Sequence, residues 1–167
     1  RPLISADSHV EEPPGLWFDE IPQKMRDHLP PELRPTDSET QYALAVGAKK
    51  EGDLTIAELE GERHRQEVAS LGTTSVDARF KVMREEGVVA ECIYPTKGLY
   101  VWRIEDAETE TLCARHYNDW MHDLLESRSE RFRCAAMIPM RRIEDAIAEV
   151  QRSAAMGMGA LMLPIVS

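Results

Sequence analysis

From Gly72 onward, apolar runs of strand length alternate with apolar stripes of helical period. That alternation restricts the chain to α/β folds built on a parallel sheet. Val76, Phe80 and Met83 fall at i, i+4 and i+7, a helical stripe ended by Gly87, with Thr74 and Asp77 as the expected N-terminal cap pair. Residues 88–94 read as a buried strand closed by Pro95. A second helix over about 107–128 carries Cys113, Tyr117, Trp120, Met121 and Leu124, and a strand over 132–138 is closed by Pro139. A third helix over 143–156 sets Ile143, Ile147, Val150 and Ala154 on one face, Gly157 and Gly159 end it, and a strand over 160–163 stops at Pro164. A further short strand, residues 2–9, opens the chain.

The strands are near-continuous apolar runs, as a parallel sheet buried on both faces requires. An open doubly wound sheet and a (β/α)₈ barrel both satisfy this. No glycine-rich phosphate loop follows the first strand, so the nucleotide-binding form of the open sheet loses its main support and the barrel is the expected architecture. Only four strands are visible, half of what closure needs, and four alone would leave sheet edges and a wide apolar face uncovered. The 167 residues are therefore expected to be part of a larger protein, or to pair with a second copy as a homo-oligomer. Between the first strand and residue 75 no strong period is evident. Prolines cluster at Pro30, Pro31 and Pro35, and the stretch from about 18 to 74 reads as an insertion or lid.

A formal charge of −10 and a pI near 5.0 argue against nucleic acid and against an anionic membrane surface as partners. No window reaches the roughly 18 apolar residues that a membrane span needs. Cys92, Cys113 and Cys134 make no even disulfide framework, and a reducing, cytoplasmic setting is expected.

Chemistry gathers at the C-terminal ends of strands in such folds. The first strand ends in Asp7-Ser8-His9, and two residues of separation put both side chains on one face. A carboxylate and an imidazole suit a divalent cation such as zinc or manganese, which acidifies bound water or polarises a carbonyl. In the competing reading, Asp7 caps the following turn and His9 is a hydrogen-bonded loop histidine.

The run Ile4-Ser5-Ala6-Asp7-Ser8-His9-Val10-Glu11-Glu12-Pro13, with Trp17 soon after, resembles the opening of the amidohydrolase-related (amidohydrolase family 2) proteins, which include aminocarboxymuconate-semialdehyde and resorcylate decarboxylases. Met83–Val88 leading to Ile93-Tyr94-Pro95, Asn118-Asp119-Trp120 followed by Arg131-Phe132 and Ile138-Pro139, and Glu144-Asp145-Ala146 followed by Gly157–Ala160 and Leu163-Pro164 continue the resemblance in order. It implies the N-terminal half of a (β/α)₈ TIM barrel of the metal-dependent hydrolase type, and a hydrolase or non-oxidative decarboxylase acting on a small carboxylated, ring-derived substrate. Asp7 and His9 would take the family's first-strand metal positions, with zinc expected and manganese the alternative. Asp7 departs from the commoner His-x-His pattern, and the remaining ligands would come from later strands, beyond Ser167. The other function considered is a truncated, non-catalytic relative that folds as an oligomer.

Glu12, Trp17 and Tyr94 are the candidate substrate-binding residues, each with a structural alternative: a loop charge, a staple for the insertion, and a buried hydroxyl. His28 and His64 read as solvated surface. His122, four residues after Asn118, lies on a helix expected to face away from the mouth. Met156, Met158 and Met162 read as core filler.

Overall fold

The computed structural model describes residues 1–13, 15–35 and 75–164. Four strands, β1 (Leu3–His9), β2 (Val88–Tyr94), β3 (Phe132–Met137) and β4 (Ala160–Met162), form a parallel sheet. Between them run helices α1 (Val76–Glu86), α2 (Ala107–Leu124) and α3 (Ile143–Met156). The strand order is β1-β2-β3-β4. A doubly wound sheet reverses its order at a switch point, whereas a barrel segment adds each strand beside the last. The sequential order observed is that of a barrel segment.

Local chemistry sets the boundaries. Gly87 and Gly157 close α1 and α3 at φ of 73° and 90°, where a residue with a Cβ is strained. The N-cap of α1 is Ser75 rather than the expected Thr74: Ser75 is extended and its hydroxyl accepts from the amide of Ala78, while Thr74 lies outside the described residues. The second helix stops at Leu124, short of 128, because Leu125 leaves the helical region (φ −129°, ψ −57°). Residues Glu126–Arg128 form a separate 3₁₀ turn.

The segment after β1 does carry a period. Trp17, Ile21, Met25, Leu29 and Leu33 recur every four residues, and all five are buried in the main core. The prolines that disguised this pattern break the segment into two 3₁₀ turns, Gln23–His28 and Pro31–Leu33, without taking the apolar side chains off their common side. The rest of the proposed insertion, 36–74, including His64, lies outside the described residues.

On α2 the expected stripe is turned inward: Cys113, Tyr117 and Met121 are fully buried. On α3 a neighbouring face is inward. Ala146, Glu149 and Ser153 are buried, while Ile143 and Ile147 are 65% and 53% exposed. Partners for Glu149 explain the choice. Its carboxylate accepts from Arg115 (3.1 Å), from Arg152 (2.7 Å) and from the Asn118 amide (2.7 Å), so it enters the interior compensated. Burial pushes its carboxyl up, but the bonds from Arg152 and Asn118 outweigh that and hold it below the ordinary carboxylate value.

The Tyr117 hydroxyl is buried and has no hydrogen-bond partner among the described residues. Deleting it removes a desolvation cost and no bond, so Tyr117→Phe is expected to be at least as stable as the wild type in urea titration. A loss of more than about 1 kcal/mol would show that the hydroxyl is satisfied elsewhere.

Candidate metal centre

β1 is not a regular strand. Its register steps from Ser5 opposite Glu91 to Ser8 opposite Ile93, so three residues of β1 span two of β2. This bulge lets Ser5 and Ser8, three apart, meet hydroxyl to hydroxyl at 2.8 Å, which strict alternation forbids. Ser8 also donates to Glu91 (3.2 Å), and Glu91 is paired with Arg79 of α1 at 2.6 Å. Arg79 in turn donates to the backbone carbonyl of His9 at 3.1 Å. The helix layer thus braces the strand end, and Asp7 lies within the bulge. The sequence pattern contains no sign of this bulge.

Asp7 and His9 come together at that end. His9 Nε2 lies 3.3 Å from Asp7 Oδ1, and both side chains are exposed. His9 Nδ1 lies 2.9 Å from the carbonyl oxygen of Pro95. A carbonyl only accepts, so Nδ1 carries the proton and the lone pair of a neutral ring sits on Nε2, the nitrogen beside Asp7. Metal-binding histidines show this arrangement, one ring N–H committed to a backbone carbonyl and the other nitrogen turned to the cation. Two ligands at about 2.1 Å from one ion stand roughly 3 Å apart, which matches the separation observed. The pair therefore fits one edge of a coordination sphere. Among the described residues no group of three or more His, Cys, Asp or Glu side chains converges on a point that could complete it.

Tyr94 lies opposite His9 in register, its ring 6.1 Å from the imidazole, and its hydroxyl accepts from the Cys92 thiol at 3.3 Å. That thiol, and more weakly the charge of Asp7, raises the phenol above its usual value. Glu12 and Trp17 are placed differently. Trp17 is 2% exposed and its indole donates to the Cys113 carbonyl of α2 at 3.0 Å, tying the segment after β1 to the helix layer. Glu12 is 1% exposed, and its carboxylate accepts from the backbone N–H groups of Thr96, Lys97 and Gly98 at 3.1, 2.9 and 2.8 Å. Burial pushes its carboxyl up, with the three amides pulling the other way. Nothing in the sequence pointed to those amides, which belong to a loop more than eighty residues away.

The loop after β3 is held alike: Glu110 of α2 accepts from the amides of Met140 (3.1 Å) and Arg141 (2.8 Å). Asn118 is buried against the backbone of Met137, donating to its carbonyl at 2.9 Å and accepting from its amide at 2.7 Å. His122 pairs with Asp123 at 3.1 Å near the C-terminal end of α2, and His28 is exposed. No helix among the described residues is long and apolar enough to cross a membrane.

No protein-family model matches the chain, and no curated protein matches it. Solved structures do. An amidohydrolase from Mycobacterium avium subsp. paratuberculosis K-10 superposes with a TM-score of 0.65 at 17% identity, over 93% of this chain and 47% of that one. The 2,6-dihydroxybenzoate decarboxylase from Rhizobium gives 0.53 at 17% identity, over 96% and 38%. A dihydroxybenzoic acid decarboxylase from Polaromonas sp. JS666, solved with bound manganese and the inhibitor 2-nitroresorcinol, gives 0.58 at 18% identity, over 96% and 37%. The chain spans less than half the length of each. Likeness at this identity shows a shared fold, and these are the enzyme types that the ordered motifs resemble.

Proposed function

We propose that this chain supplies the first three strand–helix units and the fourth strand of a larger amidohydrolase-type barrel, in which Asp7 and His9 hold a divalent metal at the mouth. The observation that carries the reading is the His9 ring. Its Nδ1 is committed to the Pro95 carbonyl, and its free nitrogen stands 3.3 Å from a carboxylate at the C-terminal end of β1. A larger barrel is supported by the sheet edges, where Leu3 and Ile4 of β1 and Leu161 and Leu163 at β4 are 47–72% exposed. Such edges need covering, by further units of the same domain or, in the second reading, by another copy of a non-catalytic chain.

The reaction class is metal-assisted hydrolysis or non-oxidative decarboxylation of a small carboxylated ring compound. Once bound, the cation would polarise the substrate or acidify a water. Asp7 and His9 bind and orient it, and the Pro95 carbonyl fixes which ring nitrogen is free. Tyr94, beside His9, is the substrate-facing residue of this half. Glu12 and Trp17 are turned into the packing instead. A carboxylate with an imidazole accepts zinc or manganese, and manganese gains weight from the Polaromonas enzyme.

The test is metal analysis of the full-length protein beside Asp7→Ala and His9→Ala. Each variant is expected to lose at least ten-fold in Mn²⁺ or Zn²⁺ affinity, roughly the loss of one ligand, with CO₂ release from 2,6-dihydroxybenzoate as the first activity assay. Unchanged metal content in both variants would defeat the assignment. A stable, metal-free dimer of this 167-residue chain would favour the non-catalytic reading.

A further inference from the structure

We propose that Glu12 is a positioning residue for His9, acting through the Pro95–Thr96 peptide, an inference that rests on the Asp7–His9 metal reading. The Pro95 carbonyl, which accepts from His9 Nδ1, and the Thr96 N–H, which donates to Glu12 Oε1, belong to one peptide unit. That unit is trans and planar, so its C=O and N–H point in opposite directions and cannot turn independently. Fixing the N–H against a buried carboxylate therefore fixes the carbonyl on the other side. The neighbouring amides of Lys97 and Gly98 close on the same carboxylate, so the unit is held at three consecutive residues.

The fit is tight. A Cβ at Gly98 would stand 2.6 Å from Pro95 Cβ and from Met137 Cε, and 3.1 Å from Glu12 Oε1. Only glycine lets the loop close on the acid. An anion bonded to the N–H also polarises the peptide and strengthens its carbonyl as an acceptor. Both effects favour the Nδ1-protonated tautomer of His9, which leaves Nε2 free beside Asp7. Glu12 needs no contact with metal or substrate to act in this way.

The experiment uses the full-length protein, stripped of metal by chelation, and reads the His9 ring nitrogens by ¹⁵N NMR alongside Co²⁺ titration. Wild type is expected to show Nδ1 protonated and hydrogen-bonded to the Pro95 carbonyl. Glu12→Gln, which removes the charge and sets an NH₂ group against at least one of the three N–H donors, is expected to shift the ring toward the form protonated at Nε2 alone and to weaken Co²⁺ binding about 10–100-fold. Glu110→Gln disturbs the corresponding clamp on the next loop, which has no bond to His9, and is expected to leave both readouts unchanged. Should Glu12→Gln fail to fold, Glu12→Asp keeps the charge on a shorter stem and is expected to move both readouts the same way by less. A folded Glu12 variant with wild-type His9 shifts would overturn the proposal, as would an equal change in Glu110→Gln. His9→Ala separates the two readings: wild-type Co²⁺ affinity there defeats the metal assignment, while the tautomer shift still decides the role of Glu12.

Discussion

Asn118→Asp is expected to lower the unfolding free energy by about 3–5 kcal/mol, enough to leave a domain of ordinary stability partly unfolded at 37 °C. The amide does three things at once. Its oxygen accepts from the Met137 N–H at 2.7 Å, and its nitrogen donates to the Met137 carbonyl at 2.9 Å and to Glu149 at 2.7 Å. A carboxylate keeps the first bond and turns the other two into repulsions between buried oxygens. Asn118→Ala removes all three without adding a charge and is expected to cost about 2–4 kcal/mol, mostly from the groups left bare. The two variants should also differ with pH. Glu149 is held below its ordinary value in the native state, so its contribution is present above the unfolded carboxylate pKa and lost as pH falls through the native one. The Asn118→Ala deficit, measured by urea titration across this window, should therefore be largest near neutrality and shrink in acid. A deficit independent of pH would mean that Asn118 and Glu149 are not coupled.

Trp17→Ala is expected to cost about 3–5 kcal/mol, the loss of the largest fully buried side chain together with its bond to α2. Trp17→Phe keeps most of the buried area and gives up the indole N–H, so a loss nearer 1–2 kcal/mol is expected there. Both variants test what the residue is for. A packing staple changes the denaturation midpoint and leaves KM alone, whereas a pocket wall does the reverse.

The fold was legible wherever burial follows period. Residues 88–94 are bounded by Gly87 and Pro95, and the observed strand has those same limits. The α3 stripe shows the boundary of that rule. Ile143 and Ile147 have the right spacing, yet the helix turns Glu149 inward because Arg115 on α2 and its own Arg152 make the acid cheap to bury. Periodicity weighs hydrophobicity and cannot see a partner on another helix. The four-residue period from Trp17 to Leu33 was present in the letters, but its prolines removed the regular helix that such a period usually announces. At the mouth, Asp7 and His9 could be placed side by side from their spacing. The bulge that contains Asp7, and the Pro95 carbonyl that meets the His9 ring, depend on pairing with β2 some eighty residues later, which no local pattern records.

The rim of the sheet is secured in a fixed sequence. Glu12, just past the first strand, waits for amides that follow the second, and Glu110, past the second, waits for amides that follow the third. Each of these two acids precedes its donors in the chain, so the first and the second unit each hold a demand that only the next unit meets. A growing chain halted before Gly98 would carry Glu12 as an unclasped hook, unable to bury it and unable to fix the first loop of the mouth.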